Sequence, residues 1–480
     1  MSSRHLRYAS LAVLYVFAAA SFNASVLQAQ EEIYTGRNIN MVSGTQRQNE
    51  QGQRVALGGD PFLQRQNEPS IAVSSRNPMH LMAGSNDYRT VDMSGLQDIE
   101  VIGDSWLGLY KSFDGGQTWQ NTLMPGYPQA RNEQEGLYSP IHGYQAGADP
   151  TVKAGTNGMF YYSGIAFDRG HKSDSVIFVS RFIDLNNREG ANFDVVANKD
   201  PIKFIDTQLL RGGTPGQFTD KPWMAVDIPR GRKPKSADLY IEDYREEIDF
   251  VTGQLIETPV TVHQQFACGN VYVAYAVFLG QDEDNPHTRV EVVRSTDCGK
   301  TWGSPVSVSD FSHLNQGVTL AIDPGNGDLY VAWQVFDYDT QVPQIMLSKS
   351  TDGGVHFSKP LCVATTLPFN QGTRPIDEYD PFRLFRTNAY PTMAIDDMGK
   401  VYIAWSERGL WGTDFLENWD WENDPPYDGV LDGSRIMFTY SEDYGESWVT
   451  PYSAVMSDFL PDNPDDCFTE NNGVLEWDPA

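Results

Sequence analysis

One eight-residue phrase occurs four times in this chain. It reads SFDGGQTW from Ser112 to Trp119, STDCGKTW from Ser295 to Trp302, STDGGVHF from Ser350 to Phe357 and SEDYGESW from Ser441 to Trp448. The shared pattern is Ser-x-Asp-x-Gly-x-x-aromatic, and each copy follows an apolar, β-rich run. A strand-plus-turn unit written repeatedly implies a repeat architecture. As a turn the phrase makes physical sense. Its carboxylate (Asp114, Asp297, Asp352, Asp443) accepts hydrogen bonds from the backbone N–H groups that follow. The glycine two residues on (Gly116, Gly299, Gly354, Gly445) suits a positive φ. The aromatic three residues later packs back onto the sheet.

Longer units surround the phrase. A first strand recurs as PSIAV from Pro69, PTVKA from Pro150, PWMAV from Pro222, VTLAI from Val318 and PTMAI from Pro391. A second recurs as HLMAGSN, MFYYSGIAF, NVYVAYAVF, DLYVAWQVF and KVYIAWSER, and a third as LGLYKS, VIFVSR, VEVVRS, IMLSKS and IMFTYS. A fourth follows the turn, as in SPVSVS and KPLCVA. Four antiparallel strands with alternating apolar positions make one propeller blade, so the expected fold is an all-β propeller with five readable blades. The second unit keeps its strands but has lost the phrase. The third carries an insertion, roughly residues 228–266, that reads as an extra hairpin.

The phrase resembles the Asp-box, or BNR repeat, of the sialidase (neuraminidase) superfamily. That resemblance implies six blades, so the last is expected to be incomplete or shared between the chain termini, with a five-bladed ring or further C-terminal sequence as the alternatives. The expected organisation is a signal peptide over 1–29, a segment over 30–66 that helps to close the ring, the propeller over 67–458 and a tail over 459–480. The resemblance also implies that the turn lies on the face opposite the ligand site. Its Asp residues are therefore structural.

The ligand face is built from other segments. Loops entering the first strands bring Glu68, Asp149, Asp220 and Tyr390, and the loops joining second and third strands are acidic and aromatic. Carboxylates accept from sugar hydroxyls and rings stack on sugar CH groups, so this mouth suits a glycan or glycoconjugate; Ca²⁺, a cationic ligand or a protein fits the same chemistry. In sialidases an Arg triad clamps the sugar carboxylate, a Tyr–Glu pair supplies the nucleophile and an Asp serves as acid/base. The first family Arg opens the first blade, but here the matching segment is Gln66-Asn67-Glu68-Pro69, with Asn67 in its place. Blade 5 offers Asn388-Ala389-Tyr390-Pro391. The next family feature, an Arg ending the second strand with an Asp soon after, matches Arg89 with Asp92 and Arg408 with Asp414. Arg386 and Arg435 would supply further guanidiniums, and Tyr390 a phenol. The resemblance thus implies an exo-glycosidase of sialidase type. The missing leading Arg favours a non-catalytic glycan- or protein-binding propeller over strict sialidase activity, with an assembly scaffold as a third reading; paired carboxylates would still allow hydrolysis of a neutral sugar.

Composition sets outer limits. The formal net charge of −29 argues against nucleic acid and anionic membrane as partners. Arg4 and Arg7 precede a short apolar stretch, Leu11 to Ala20, with small residues near Ala29, which reads as a secretory signal. The expected location is therefore secreted, periplasmic or extracellular, with no membrane insertion after cleavage. There are four cysteines. Cys268 and Cys298 lie symmetrically about the loop joining two predicted strands, so they face each other across an antiparallel pair and suit a disulfide. Cys362–Cys467 then follows by elimination, with free or metal-bound thiols as the alternative.

Overall fold

The computed structural model describes residues 39, 41–42, 46–48, 54–56, 66–89, 104–133, 135–169, 174–186, 200–212, 217–249, 251–279, 287–311, 313–336, 343–366, 390–408 and 434–453. Of residues 1–40 only Ile39 is included, and the fold is that of the unit spanning residues 41–480. Asp92, Arg386, Asp414 and Cys467, the signal segment and the tail lie outside the described residues, as do the side chains of Arg408 and Arg435.

A short hairpin, β1 (Gln46–Gln48) with β2 (Arg54–Ala56), precedes five four-stranded antiparallel sheets. Blade 1 is β3 (Gln66–Val73), β4 (Leu81–Asp87), β5 (Trp106–Ser112) and β6 (Gln120–Leu123). Blade 2 is β7 (Ala146–Ala154), β8 (Met159–Phe167), β9 (Ser175–Asp184) and β10 (Ile202–Gly212). Blade 3 opens with β11 (Gln217–Val226), is interrupted by the predicted hairpin β12 (Ser236–Ile248) and β13 (Leu255–Ala267), and resumes with β14 (Val271–Leu279), β15 (His287–Ser295) and β16 (Val306–Ser307). Blade 4 is β17 (Leu314–Ile322), β18 (Leu329–Phe336), β19 (Pro343–Ser350) and β20 (Leu361–Thr365). Blade 5 is β21 (Thr392–Ile395), β22 (Val401–Arg408), β23 (Ser434–Ser441) and β24 (Tyr452–Ser453). Each sheet runs first to fourth strand in sequence order, and the first strands pack against one another from blade to blade, β3 to β7 to β11 to β17 to β21. This is the arrangement of a β-propeller. The second strands of blades 1 to 4 are buried on both faces, which is why they read as nearly continuous apolar runs. Among the described residues no helix is long and apolar enough to cross a membrane.

The repeated phrase forms one structure four times. The serine hydroxyl donates to the aspartate at 2.8–2.9 Å and accepts from the glycine N–H at 2.8–2.9 Å. The aspartate accepts from the N–H four residues on, in every copy at 2.8–2.9 Å. Three of the aromatics are tryptophans, and each indole donates to its own glycine carbonyl. Not only the glycine but also the residue before it has positive φ: Gly115, Cys298, Gly353 and Tyr444.

That second left-handed residue turns its carbonyl toward the preceding blade. Arg181 of blade 2 donates to Cys298 O at 3.0 Å, Arg294 of blade 3 to Gly353 O at 2.7 Å, and Lys349 of blade 4 to Tyr444 O at 3.4 Å. An aromatic of the preceding second strand lies under the turn glycine in each case: Tyr161 under Gly299, Tyr272 under Gly354 and Tyr330 under Gly445. The basic residue late in the third strand, Arg181 in VSR, Arg294 in VRS and Lys349 in SKS, is therefore the donor half of a joint between neighbouring blades. Blade 2 has no phrase to receive Lys111 of blade 1. Its ammonium instead meets Asp200 at 2.8 Å and Ile202 O at 2.7 Å. The end of blade 2 is covered by the β12–β13 hairpin: Leu239, Ile241 and Val262 join the same core as Met159, Ile183 and Leu185. Arg76 ties Asp184 O to Gln264, and Lys203 pairs with Asp243. Arg294→Met is expected to cost about 1.5–3 kcal/mol, the range for a hydrogen bond from a charged donor. Urea denaturation checks this, and an unchanged midpoint would remove the joint from the stability account.

Cys268 and Cys298 are bonded, just beyond the paired ends of β14 and β15, where Val271 faces Ser295. Cys362 carries a free, exposed thiol rather than the pairing expected by elimination. Its β20 neighbours place it on an outer strand, with its sulfur 3.7 Å from Ala364 O.

Candidate functional site

The first strands begin earlier than their sequence pattern suggests. Strand β3 starts at Gln66, β7 at Ala146, β11 at Gln217 and β17 at Leu314. Glu68, Asp149 and Asp220 therefore lie within strands, not on loops entering them. The prolines misplace the start because a proline cannot donate to the ladder. Blades 1 to 3 absorb it by a bulge, seen as a register shift between Asn67 and Ser70, Ala148 and Thr151, and Asp220 and Trp223; blade 4 bulges at the same place, between Gln316 and Thr319, with Val318 in the proline's position. At each bulge the same position has positive φ: Glu68 (52°), Asp149 (57°), Lys221 (51°) and Gly317 (67°). Three of the four carry a side chain in a conformation that costs roughly 1–3 kcal/mol.

These bulges bring side chains from three blades together. The Lys221 ammonium lies 2.9 Å from Glu68 Oε2 and 3.7 Å from Asp149 Oδ1. The Lys221 N–H donates to Asp149 Oδ2 at 3.2 Å. Asn86 on β4 completes the frame, accepting from the Asp149 N–H at 2.8 Å and donating to Glu68 at 3.4 Å. Gln316 on β17 donates to Asp220 Oδ2 at 2.8 Å. Tyr390 closes the row: a Cβ at Gly317 would fall 2.0 Å from its ring, so only glycine fits beneath it. A continuous polar belt thus runs along the inner strands from Asn86 to Gln316, ending at the Tyr390 ring.

Glu68 and Asp149 form an unequal pair. Burial, the neighbouring Asp220 charge and the contact with Glu68 push Asp149 well above the usual carboxylate range. Burial acts upward on Glu68 too, but the hydrogen bond from Asp149 and the Lys221 charge hold it below its ordinary value. Of the two carboxyls, Asp149 is therefore the more readily protonated. Lys221 is raised: burial works against its charge, but Asp149, Glu68 and Asp220 outweigh that cost. The belt thus sets a carboxyl that holds its proton more tightly, a more acidic carboxyl and an ammonium beside one another.

Arg89 serves another partner. Its guanidinium donates to Asp87 Oδ2 at 2.6 and 3.0 Å and to Asn121 Oδ1 at 3.0 Å, all within blade 1. Asp87 is fully buried and also accepts from the Tyr110 hydroxyl at 2.9 Å. Burial and the Asp87 charge push the Tyr110 phenol far up. At the equivalent place in blade 5, Glu407 accepts from Trp405 Nε1. A second buried phenol–carboxylate contact, Tyr275 with Glu291, is flanked by Arg211 and Arg289, but Tyr275 belongs to the core between blades 2 and 3. Among the described residues no group of three or more His, Cys, Asp or Glu is placed to hold a metal ion.

Sequence reasoning named Glu68, Asp149, Asp220 and Tyr390 as mouth residues, and the structure brings them onto one belt. It missed Lys221, Asn86 and Gln316. The signal for Lys221 was present: Glu-Pro, Asp-Pro and Lys-Pro open the first strands of blades 1 to 3.

No protein-family model matches the chain, and no curated protein matches it in sequence. Solved structures of similar form do exist. They include Hadza microbial sialidase Hz136 (12% identity, TM-score 0.37, 84% of this chain and 63% of that one) and the Penicillium chrysogenum α-L-arabinanase (11%, 0.37, 81% and 82%). An α-L-arabinofuranosidase of Fusarium graminearum is similar at 12% identity and TM-score 0.36, over 80% and 79% of the two chains. The chain spans less than two-thirds of the length of the sialidase.

Proposed function

We propose that this chain is an exported, glycan-acting β-propeller, and that the inner-strand belt is an exo-glycosidase site for a sugar without a carboxylate. The observation that carries this reading is the unequal Glu68–Asp149 pair beside Asp220 and Lys221. Glycoside cleavage needs one carboxyl that is protonated at working pH and another that is ionised. Asp149 fills the first role. Asp220, next along the belt, supplies the second carboxyl, with Glu68 and Lys221 setting the state of the donor. Sialic acid fits less well: Asn67 stands where a carboxylate clamp would begin, and the Arg89 guanidinium is committed to Asp87. The basic and apolar start of the chain and the Cys268–Cys298 bond support export.

The full-length protein should be assayed against aryl glycosides: an α-sialoside and a panel of neutral pentosides and hexosides. Turnover is expected on a neutral member and none on the sialoside. A second reading has its own support. Glu68 and Asp149 touch, whereas the two carboxyls that flank a scissile bond stand about 5–9.5 Å apart. No turnover on any member, with binding retained on a glycan array, would make this a non-catalytic binding propeller.

A further inference from the structure

We propose that Lys221 is a positioning residue, one that assigns the single proton of the Glu68–Asp149 pair to Asp149. The inference deepens the glycosidase reading and rests on it for its functional meaning, but its physical content is independent of turnover.

The geometry is asymmetric in a way that chooses between the two carboxyls. The ammonium is 2.9 Å from Glu68 Oε2 and 3.7 Å from Asp149 Oδ1. A contact charge favours ionisation of the nearer group more strongly. The Glu68 side chain is 42% exposed and that of Asp149 only 12%, so water also favours the charge on Glu68. The remaining groups around the pair do not reverse the choice. From β4, Asn86 is neutral and touches both residues. From β11, Asp220 adds negative charge near Asp149 and opposes its ionisation. From β17, Gln316 is neutral and engages Asp220. Lys221 is thus the one cation in contact with the pair among the described residues.

The backbone explains how a flexible side chain serves this purpose. Lys221 occupies the left-handed bulge position that Glu68 and Asp149 occupy in blades 1 and 2. Its own N–H is fixed on Asp149 Oδ2, so the stem leaves the strand beside Asp149 and reaches past it to Glu68. A lysine fixed at one end by its backbone and at the other by a carboxylate loses less freedom on contact than a free surface lysine. With the ammonium removed, the contact charge that most favours an ionised Glu68 is gone, and the first proton of the pair is lost at higher pH.

The test uses infrared titration of the full chain, following the carbonyl stretch of protonated carboxyls. At neutral pH the wild-type spectrum should contain a protonated-carboxyl band that Asp149→Asn lacks. In Lys221→Met the ionisation of the other carboxyl, identified by its loss in Glu68→Gln, should move up by at least about one pH unit, a tenfold change in proton affinity. Lys221→Arg should restore the wild-type titration, because it keeps the charge. If an active glycoside is found, the acid limb of its pH profile should shift by the same amount in Lys221→Met and return in Lys221→Arg. A Lys221→Met titration superimposable on wild type, or a neutral-pH band that survives Asp149→Asn, overturns the proposal. A shifted titration in a protein that cleaves no glycoside would uphold it and remove the hydrolytic reading instead.

Discussion

Asp149→Asn is expected to lower kcat on an active aryl glycoside by about 10²–10⁴-fold, the usual contribution of a general acid. The amide preserves the shape and can still donate to Glu68, but it has no acidic proton to give to a departing oxygen. Substrate binding should change far less, so the loss should appear in kcat rather than KM. The same variant should not be unstable at neutral pH. Asp149 has a folded value above its unfolded one, so the fold binds that proton more tightly than the open chain does. Its contribution is fully present below the unfolded value and fades as pH rises through the folded one. Removing the carboxyl therefore relieves a cost at high pH. Thermal melting across pH checks this: activity falls while the alkaline-side Tm holds or rises. An Asp149→Asn protein with wild-type kcat would exclude this residue as the proton donor.

Replacing both Cys268 and Cys298 with alanine is expected to lower unfolding stability by about 3–4 kcal/mol. The bond links residues 30 apart, and the loop-closure account for a ring of that size gives this magnitude. Both cysteines are buried, at 4% and 2% exposure, so alanine is the fair replacement; serine would bury an added hydroxyl. The consequence is local as well as global. Cys298 is in left-handed conformation and its carbonyl receives Arg181 from blade 2. Cys268 ends the hairpin that covers blade 2. The cross-link thus fastens the root of that hairpin to the turn that docks on the same blade. Denaturant unfolding of the oxidised wild type against the double alanine variant measures the effect. A difference below about 0.5 kcal/mol would show that the β14–β15 ladder alone holds the turn.

The blades were legible because their signals are local. Ser-x-Asp-x-Gly, the alternating strands and the symmetric cysteine pair each act over a few residues or across one hairpin. The joint between blades was half legible: the Lys or Arg late in the third strand stood in plain sight, but its acceptor is a backbone carbonyl in the following blade, and a carbonyl leaves no mark in a sequence. The belt was legible as to residue type and hidden as to geometry. Glu68, Asp149 and Asp220 read in sequence as loop carboxylates because a proline suggests a strand beginning. The bulge that admits the proline also rotates the residue before it into left-handed space. Period-two patterning has no symbol for that rotation, and so it gave no hint that Lys221 would span from blade 3 to blade 1. Arg89 was misleading for a related reason. A sequence shows that a guanidinium ends the second strand, but not that a buried Asp87 two residues earlier already engages it.

The bulges of the first strands have a consequence for how such a molecule can change. Glutamate, aspartate, lysine and glycine occupy the same left-handed position in four successive blades, with φ between 51° and 67°. Because the strand, and not the side chain, dictates that conformation, the position behaves as a socket that accepts different plugs. Acid, base and empty space are interchangeable there at modest conformational cost. Altering the chemistry of the mouth would then require single exchanges in a row of sockets, with no redesign of loops. The one fixed seat is Gly317, where the Tyr390 ring leaves no room for a plug.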